Sequence, residues 1–543
     1  MKPNTLGLQM RELPVTSEEV PAGVAFLQKI LSKSKSGKEV LYRFSVLLLT
    51  FLAYVAFHAS RKPISIVKNS KEFLDCSSDQ NQCHSWITEI DGKPEDEAKT
   101  LLGLLDTTYL VSYAFFMFIS GIVAERVDLR IFLAFGMIAS GLFTFLFGFA
   151  YFAGIHSIWY LLLVQVICGI FQTTGWPGVV TVVGNWFGKG KRGLIMGVWN
   201  SHTSIGNIIG ALLAGAFVNE NWGLSFAIPG LLIFMVGILI FLFLVTDPAT
   251  VGITVPKQGN KTLTPSTAAS DMSPKQKHKD ILTPASLSKT SSSSRLIDSA
   301  YESDPDSFFV PKDCQAIGFV DALKIPGVVE FSLCLFFAKL VSYTFLFWLP
   351  NYISTTSGFD GKSSATLSTF FDVGGIIGGI IAGVISDKSG MSATTCTGML
   401  IAAIPTMFLY QVLQGFWCPM AQVGGLPLLN ECYFLNVLVL VITGLLVNGP
   451  YALITTAVSA ELGTHKSLQN SGKALATVTA IIDGTGSIGA AVGPFLAGWL
   501  AGDGNWDRVF TMLMMADVFA LLLLVRLMKH EVRRCWRRRR FTC

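Results

Sequence analysis

The sequence predicts an all-α membrane protein of twelve transmembrane helices, arranged as two six-helix repeats. Three observations predict it. Of the 543 residues, 51% are hydrophobic and only 14% charged, a balance outside the range of soluble globular chains. Twelve apolar runs each reach the roughly 20 residues that a helical crossing takes. Segments of the first half also recur in the second.

Residues 1–42 mix Glu12, Glu18, Glu19 and several lysines without an apolar core. They read as a cytosolic tail with no cleavable signal peptide, so the first span is expected to act as the signal anchor. The spans fall near 44–67, 102–123, 131–152, 158–181, 193–217 and 223–246, a first bundle within 43–246. A second bundle within 323–528 carries spans near 327–352, 365–386, 393–413, 434–459, 473–500 and 507–528. Between them, residues 247–322 are rich in Ser, Thr, Pro and Lys and read as a disordered cytosolic linker open to phosphorylation, where the sequon at Asn260 is silent.

The loops after spans 2, 4, 8 and 10 carry Arg126 and Arg130; Lys189, Lys191 and Arg192; Lys388; and Lys466. The loops after spans 3, 5, 9 and 11 carry almost no Lys or Arg. With the basic tail 529–543, which includes Arg533, Arg534 and Arg537 to Arg540, this bias puts both termini in the cytosol. The net charge of +5 follows from topology and gives no nucleic-acid footprint. Cys76, Cys83, Cys418 and Cys432 then fall on the non-cytosolic side, where disulfides are permitted, a Cys76–Cys83 bridge being the simplest; free thiols are the alternative.

The repeat is visible in two pairs of segments. Residues 204–215, S-I-G-N-I-I-G-A-L-L-A-G, match 487–498, S-I-G-A-A-V-G-P-F-L-A-G, and an Asn-Trp follows each, at Asn221-Trp222 and Asn505-Trp506. After span 2 comes G-I-V-A-E-R, with Gly121, Glu125 and Arg126; after span 8 comes G-V-I-S-D-K, with Gly383, Asp387 and Lys388. Both pairs map span n onto span n+6. Parallel repeats of this kind place a substrate site near the midplane between them. The ladder Gly374, Gly375, Gly378, Gly379 would let helices slide closely past one another, or simply pack.

Span 1 holds His58, Arg61 and Lys62 within its apolar run. Intramembrane cations cost about 2.5–3.5 kcal/mol each on insertion scales and point to a substrate or ion path. The helical period puts Tyr54, Phe57, His58 and Arg61 on one face, able to offer a guanidinium fork, an imidazole and a phenol to one ligand. The alternative is that Arg61 and Lys62 close the span and snorkel to the headgroups, with Pro63, Lys68 and Lys71 marking its end.

The stretches S-R-K-P-I-S-I-V-K, G-W-P-G-V-V-T-V-V-G-N-W-F-G-K-G-K-R-G (175–193) and G-V-W-N-S-H-T-S-I-G-N (197–207), with the repeated Gly-acid-base loops, resemble the major facilitator superfamily. Within it they are similar to the organophosphate:phosphate antiporters, and most of all to the animal sugar-phosphate exchangers, solute carrier family 37. The resemblance implies the major facilitator fold and exchange of a sugar phosphate, typically glucose 6-phosphate, for inorganic phosphate across the endoplasmic reticulum membrane. The plasma membrane or another endomembrane is the alternative. It puts the family's essential arginine on Arg61, with Lys62 beside it, and favours the site over snorkelling.

This sequence departs from the bacterial members in three places. Ser342 stands where they carry a second arginine, in span 7; Lys339, one turn away beside Tyr343, is the expected replacement. Their span-5 histidine corresponds to Thr203, and His202 comes one residue early, so it faces either the cavity or the packing. Their span-2 lysine corresponds to Met117. Asp372 does match a bacterial glutamate.

The expected substrate-binding set is therefore Arg61, Lys62, Lys339, Tyr54, His58, His202 and Tyr343, with Trp348 a further aromatic candidate. Asp372 and Asp483 serve charge pairing or coupling, and the two loop motifs serve gating. Arg61 would hold phosphate oxygens bidentately from one half while Lys339 approaches from the other. An empty closed state would bury unpaired charge, which makes exchange obligatory. Alternatives are a proton-coupled phosphate or sugar transporter using Asp372 and Asp483, or a sugar-phosphate sensor that moves nothing. No nucleophile-base pair, metal cluster or cofactor motif stands out, so an enzyme is not expected. The preferred sugar phosphate and the oligomeric state are not written in the sequence.

Overall fold

The computed structural model describes residues 20–30, 38–68, 73, 95–155, 157–187, 192–253, 317–357, 359–416, 431–464, 474–501 and 504–541. These are helical, with no strand among the described residues. The predicted cysteine bridge lies outside them, as do most of the linker and Lys71, Lys189, Lys191 and Lys466. Within 247–322, Pro248–Val251 forms a 3-10 turn capped by Asp247, and Phe319–Leu323 a short helix.

A short α1 (Ala22–Ile30) packs on the end of the sixth span, where Gly23 meets Phe243. Span 1 follows as α2 (Lys38–Arg61) and α3 (Pro63–Val67), spans 2 and 3 as α4 (Glu95–Ala124) and α5 (Leu129–Ala153). Span 4 divides into α6 (Ile158–Gln172) and α7 (Gly175–Trp186), span 5 into α8 (Arg192–Trp199) and α9 (Ser201–Phe217), and span 6 is α10 (Trp222–Phe243). In the second half α11 (Phe319–Leu323) leads to α12 (Val328–Ser357), α13 (Gly361–Ser389) and α14 (Ser392–Phe416). Then come α15 (Glu431–Leu453), a π-helical turn at Ile454–Val458, α16 (Ser459–Leu462), α17 (Leu475–Leu500) and α18 (Trp506–Phe541).

Eleven described segments are long and apolar enough to cross a membrane. The twelfth predicted span, 193–217, is interrupted at Asn200, leaving neither α8 nor α9 long enough alone. The run Asn200-Ser201-His202-Thr203-Ser204 lowers its hydropathy, and Asn and Ser compete for backbone hydrogen bonds. Span 1 bends at Lys62, because Pro63 lacks the N–H that would continue α2 but suits the first turn of α3. The chain stays helical beyond the bend, with Arg61, Lys62 and Lys68 all buried inside the protein. This overturns the snorkelling reading: the cations turn inward.

The outer surface carries Phe115, Phe135, Leu163, Leu231, Phe408 and Leu522 exposed, which suits contact with lipid. Inside each half, α5 packs on α10 and α2 on α9, and α13 packs on α15 and α12 on α17. Between halves, α4 lies along α17, and α8 and α9 lie along α13. The halves come into contact at both ends of these crossings. Near the starts of spans 2 and 8, a Cβ on Gly498 would come 3.9 Å from the Gly103 Cα, and one on Gly215 would come 3.3 Å from the Ala365 Cβ. At the other end a Cβ on Gly121 would strike Ala480, and one on Gly197 would come 2.8 Å from the Gly379 carbonyl. The halves are closed on each other at both ends. The glycine ladder splits its work: Gly374 and Gly378 pack on α15 backbone, while Gly375 and Gly379 face Ser204 and Gly197 across the interface.

Candidate functional site

Arg61, at the end of α2, is 6% exposed. Its Nε donates to Gln172 Oε1 at 2.6 Å, and its guanidinium lies 4.7 Å from the centroid of the Tyr113 ring. Gln172 is itself held, accepting from the Tyr109 hydroxyl and donating to Ser60 Oγ at 3.0 Å. One terminal nitrogen of Arg61 is buried without a hydrogen-bond partner. Among the described residues no carboxylate forms an ion pair with it. The guanidinium is thus fixed in place and has unspent donors.

Lys62 turns the other way and donates to the Leu346 carbonyl of α12 at 2.8 Å, a bond between the halves. Lys339, in α12, is not a free cation. Its Nζ lies 2.6 Å from Asp483 Oδ1 and 3.2 Å from Ser487 Oγ, between the rings of Tyr343 and Tyr451, each 5.7 Å away. Gly486 makes room for its stem, since a Cβ there would come 3.0 Å from Lys339 Cδ. The Tyr113 hydroxyl reaches Asp483 Oδ2 at 3.4 Å, so Tyr113 touches the cation of one half and the acid of the other.

His58 donates from Nδ1 to Asn207 Oδ1 at 3.1 Å, the tautomer following from Asn207, whose Nδ2 donates to Asp372 Oδ1 at 2.8 Å. A small central cavity is lined by His58, Asn207, Tyr343, Asp372, Asn448 and Tyr451, together with Asn200, Thr203, Ser204 and Ser342. Leu346, Phe371 and Ala452 also contribute to a lining of mixed polarity that includes no Lys or Arg. A second small cavity is lined mainly by the N-terminal half, with Arg61, Asp106, Gln165, Cys168 and Gln172 among its residues, and by Phe347 of α12.

His202 does not reach the cavity. It is fully buried, with Trp199 at 4.4 Å, Tyr54 at 4.6 Å and Phe51 at 6.0 Å between ring centroids, and its Nε2 has no partner. Packing is the reading the structure supports for His202, and Thr203 takes the cavity position. Tyr54 belongs to the same aromatic cluster, 5.1 Å from Trp176. Tyr343 lines the cavity. Trp348 instead donates to the Pro494 carbonyl at 2.9 Å and covers Lys68, 4.4 Å from its ring. Lys68 forms a fully buried ion pair with Asp106, which the sequence reading passed over.

Of the loop motifs, Glu125 reaches across the interface and accepts from the Thr477 N–H at 2.9 Å, capping the start of α17. Arg126 turns back to the Ile122 carbonyl at 2.6 Å, and Gly121 sits where α4 meets α17. Gly383, Asp387 and Lys388 occupy the last turns of α13. At its other end Asp360 caps α13 through the Ser363 N–H, and bonding from Ser363 holds its carboxyl below the usual range. Tyr113, Gln172, Asn207, Asn448 and Tyr451 were missed. Uncharged polar residues in a span give little signal, although Asp106 in L-L-G-L-L-D was open to the same reasoning as Arg61.

A family profile described as Major Facilitator Superfamily matches residues 96–476. The protein named glucose-6-phosphate exchanger SLC37A2 of Xenopus laevis is 51% identical over 501 residues, covering 91% of this chain and 94% of that one. Its Homo sapiens namesake is 50% identical over 500 residues, covering 90% and 93%. Homo sapiens glucose-6-phosphate exchanger SLC37A1 is 46% identical over 541 residues, covering 94% and 96%.

Proposed function

The chain belongs to the major facilitator superfamily and, within it, to the sugar-phosphate exchangers of solute carrier family 37; from that premise we propose that it exchanges a sugar phosphate, glucose 6-phosphate, for inorganic phosphate by alternating access. One observation carries the mechanism: Arg61 is a buried arginine with no carboxylate partner among the described residues, held by Gln172 and bordering a closed interface. At that interface the buried cations are Arg61, Lys62, Lys68 and Lys339, and the buried carboxylates are Asp106, Asp372 and Asp483. A further buried acid, Asp517, lies within α18 of the C-terminal bundle. Among the described residues, four buried cations against three buried carboxylates leave one positive charge at the interface unmatched.

A phosphoryl group supplies the missing charge. Its oxygens take the free donors of Arg61, a charge-assisted contact that Gln172 pre-orients. The amides, hydroxyls and phenols of the central cavity, chiefly Asn207, Ser342, Asn448, Tyr343 and Tyr451, suit the hydroxyls of a sugar. Lys339 and Asp483 stay paired until an anion competes for the lysine. With no anion bound, closing the interface leaves an arginine uncompensated in low dielectric, which costs several kcal/mol. Either phosphate or sugar phosphate relieves that cost, so each crossing is made loaded. In this reading His58 and Asp372 position Asn207, while Tyr54 and His202 support α2 from behind. The repeated loops act as the gates, Gly121, Glu125 and Arg126 in one half and Gly383, Asp387 and Lys388 in the other.

Both termini face the cytosol in this proposal, the membrane is that of the endoplasmic reticulum, residues 247–322 link two bundles at 43–246 and 323–528, and no catalysed reaction is involved. The test is uptake of labelled glucose 6-phosphate into proteoliposomes preloaded with phosphate or left empty, for the wild type and Arg61→Ala. Exchange predicts uptake that needs the preload, vanishes in the variant and ignores an imposed pH gradient. Uptake into empty vesicles that follows the pH gradient and survives Arg61→Ala would replace this mechanism with proton coupling at Asp372 and Asp483. Binding without flux would leave a sensor.

A further inference from the structure

The last helix is longer than a bilayer requires. α18 runs 36 residues from Trp506 to Phe541, about 54 Å at 1.5 Å per residue, against a hydrocarbon core of about 30 Å. Its apolar part ends near Met528, and the helix continues through K-H-E-V-R-R-C-W-R-R-R-R-F without a break. The extension is fastened. Glu531 accepts from the Ala393 N–H at 3.0 Å, the Thr394 N–H at 2.8 Å and Thr394 Oγ1 at 2.7 Å, so it caps the start of α14. Leu524, Met528, Glu531 and Cys535 follow one another at helical spacing along the less exposed face.

The remaining faces are open. Lys529, His530, Arg533, Arg534 and Arg537 are exposed, and Trp536 is 66% exposed among them. Among the described residues none of Arg533, Arg534 and Arg537 pairs with a carboxylate, although Arg526, nearer the membrane, pairs with Glu330 at 3.3 Å. Arg533 and Arg534 lie roughly 8 Å beyond the apolar segment, at the depth of the headgroups, where an exposed indole is also at home. The repeat counterpart lacks all of this. Span 6 ends at Phe243 and turns at Asp247-Pro248 with no cation between. Setting topology needs basic charge on this side; it does not need that charge on a helix pinned to the bundle by a partly buried carboxylate cap.

We propose that the exposed face of α18 beyond Met528 binds anionic phospholipid headgroups of the adjacent leaflet, with Arg533, Arg534 and Arg537 contacting headgroup phosphates and Trp536 resting at the interface. A multiply phosphorylated headgroup fits best, because three unpaired guanidiniums within little more than one helical turn can each take a separate phosphate oxygen pair. The proposal is independent of the exchange mechanism.

The test uses full-length purified protein and native mass spectrometry, scoring retention of phosphatidylinositol 4,5-bisphosphate against phosphatidylcholine at increasing salt. The wild type is expected to retain the anionic lipid preferentially, with retention falling as salt rises. The Arg533→Gln/Arg534→Gln/Arg537→Gln variant is expected to bind it about 100-fold more weakly. That variant should exchange substrate like the wild type in phosphatidylcholine vesicles, because none of the three residues belongs to the transport site. Equal retention by variant and wild type, or equal retention of the two lipids by the wild type, would overturn the proposal. Should the variant fail to fold, the salt dependence and the lipid preference of the wild type decide the matter on their own.

Discussion

Arg61 in the first span and Lys339 in the seventh are two of the buried cations at the interface, one from each half, and the protein keeps them in opposite ways. Arg61 is held by neutral groups, Gln172 and the Tyr113 ring, and has no carboxylate partner among the described residues. Lys339 is locked in an ion pair with Asp483 and backed by Ser487. The scaffold around them is far more symmetric. Gly103 against Gly498 and Ala365 against Gly215 are the same contact in the two halves, related by the same shifts that relate the repeated motifs. The repeat therefore supplies matching hinges and crossings, while the charge chemistry differs between its copies. One half presents a poised site, and the other a latch that an anion must compete with.

The sharpest way to break this contrast is to remove each cation in turn. Lys339→Ala strands Asp483 as a buried charge and should cost about 3–5 kcal/mol of stability, read as a large drop in the detergent melting temperature. Lys339→Ala/Asp483→Asn should recover most of that. Arg61→Ala removes an unmatched charge and should leave the melting temperature unchanged or higher while exchange disappears. Equal destabilisation by the two single substitutions would mean that the halves hold their cations alike. Next in size is Arg61→Lys, which keeps the charge but loses the Nε contact to Gln172 and the fork. Exchange should fall about 100-fold, the loss of roughly one charge-assisted hydrogen-bond pair.

The hinge symmetry can be tested independently of charge. Leu in place of Gly215 or Gly498 meets Ala365 in one case and Trp348 in the other, and blocks the same crossing in each half. Both substitutions should slow exchange, by about tenfold on the usual cost of overpacking a close helix contact, and to a similar extent. Gly103→Ala, with open space around its Cβ, should be silent. A defect at only one of the paired glycines would show that the halves do not rock as equivalents.

The bundle was legible in the sequence because the bilayer forces it. Backbone polar groups must be satisfied within each helix, so spans appear as unbroken apolar runs wherever the chain only packs. Where it lines a cavity the helix itself can break, as it does at Asn200 within the apolar run 193–217. Arg61 was legible because charge in a span is costly. The groups that orient it were not: Gln172 and Tyr113 carry no charge and meet it from distant parts of the chain. Lys339 and Asp483 were each readable, yet their pairing was not, because sequence spacing does not show which helix faces which. His202 illustrates the limit of register. One residue separates it from Thr203, and that 100° turn puts the imidazole among Tyr54, Trp176 and Trp199 instead of in the cavity.

The smallest effect bears on the loop motifs, where the two halves carry different acids. Glu125 spans the interface to the Thr477 N–H, a free donor in the first turn of α17, and a carboxylate at a helix N-terminus is worth about 1 kcal/mol. Asp387, at the repeat position, is one methylene shorter. Glu125→Asp should therefore lose the reach while keeping the charge, and so separate contact from long-range attraction. Hydrogen exchange at the amides of Thr477 and Val478 should quicken about fivefold, the kinetic equivalent of that 1 kcal/mol, with α12 and α13 unaffected. Exchange that stays at the wild-type rate would mean that the acid acts through its charge alone. In that case the repeat's two motifs are interchangeable, and the asymmetry is confined to Arg61 and Lys339.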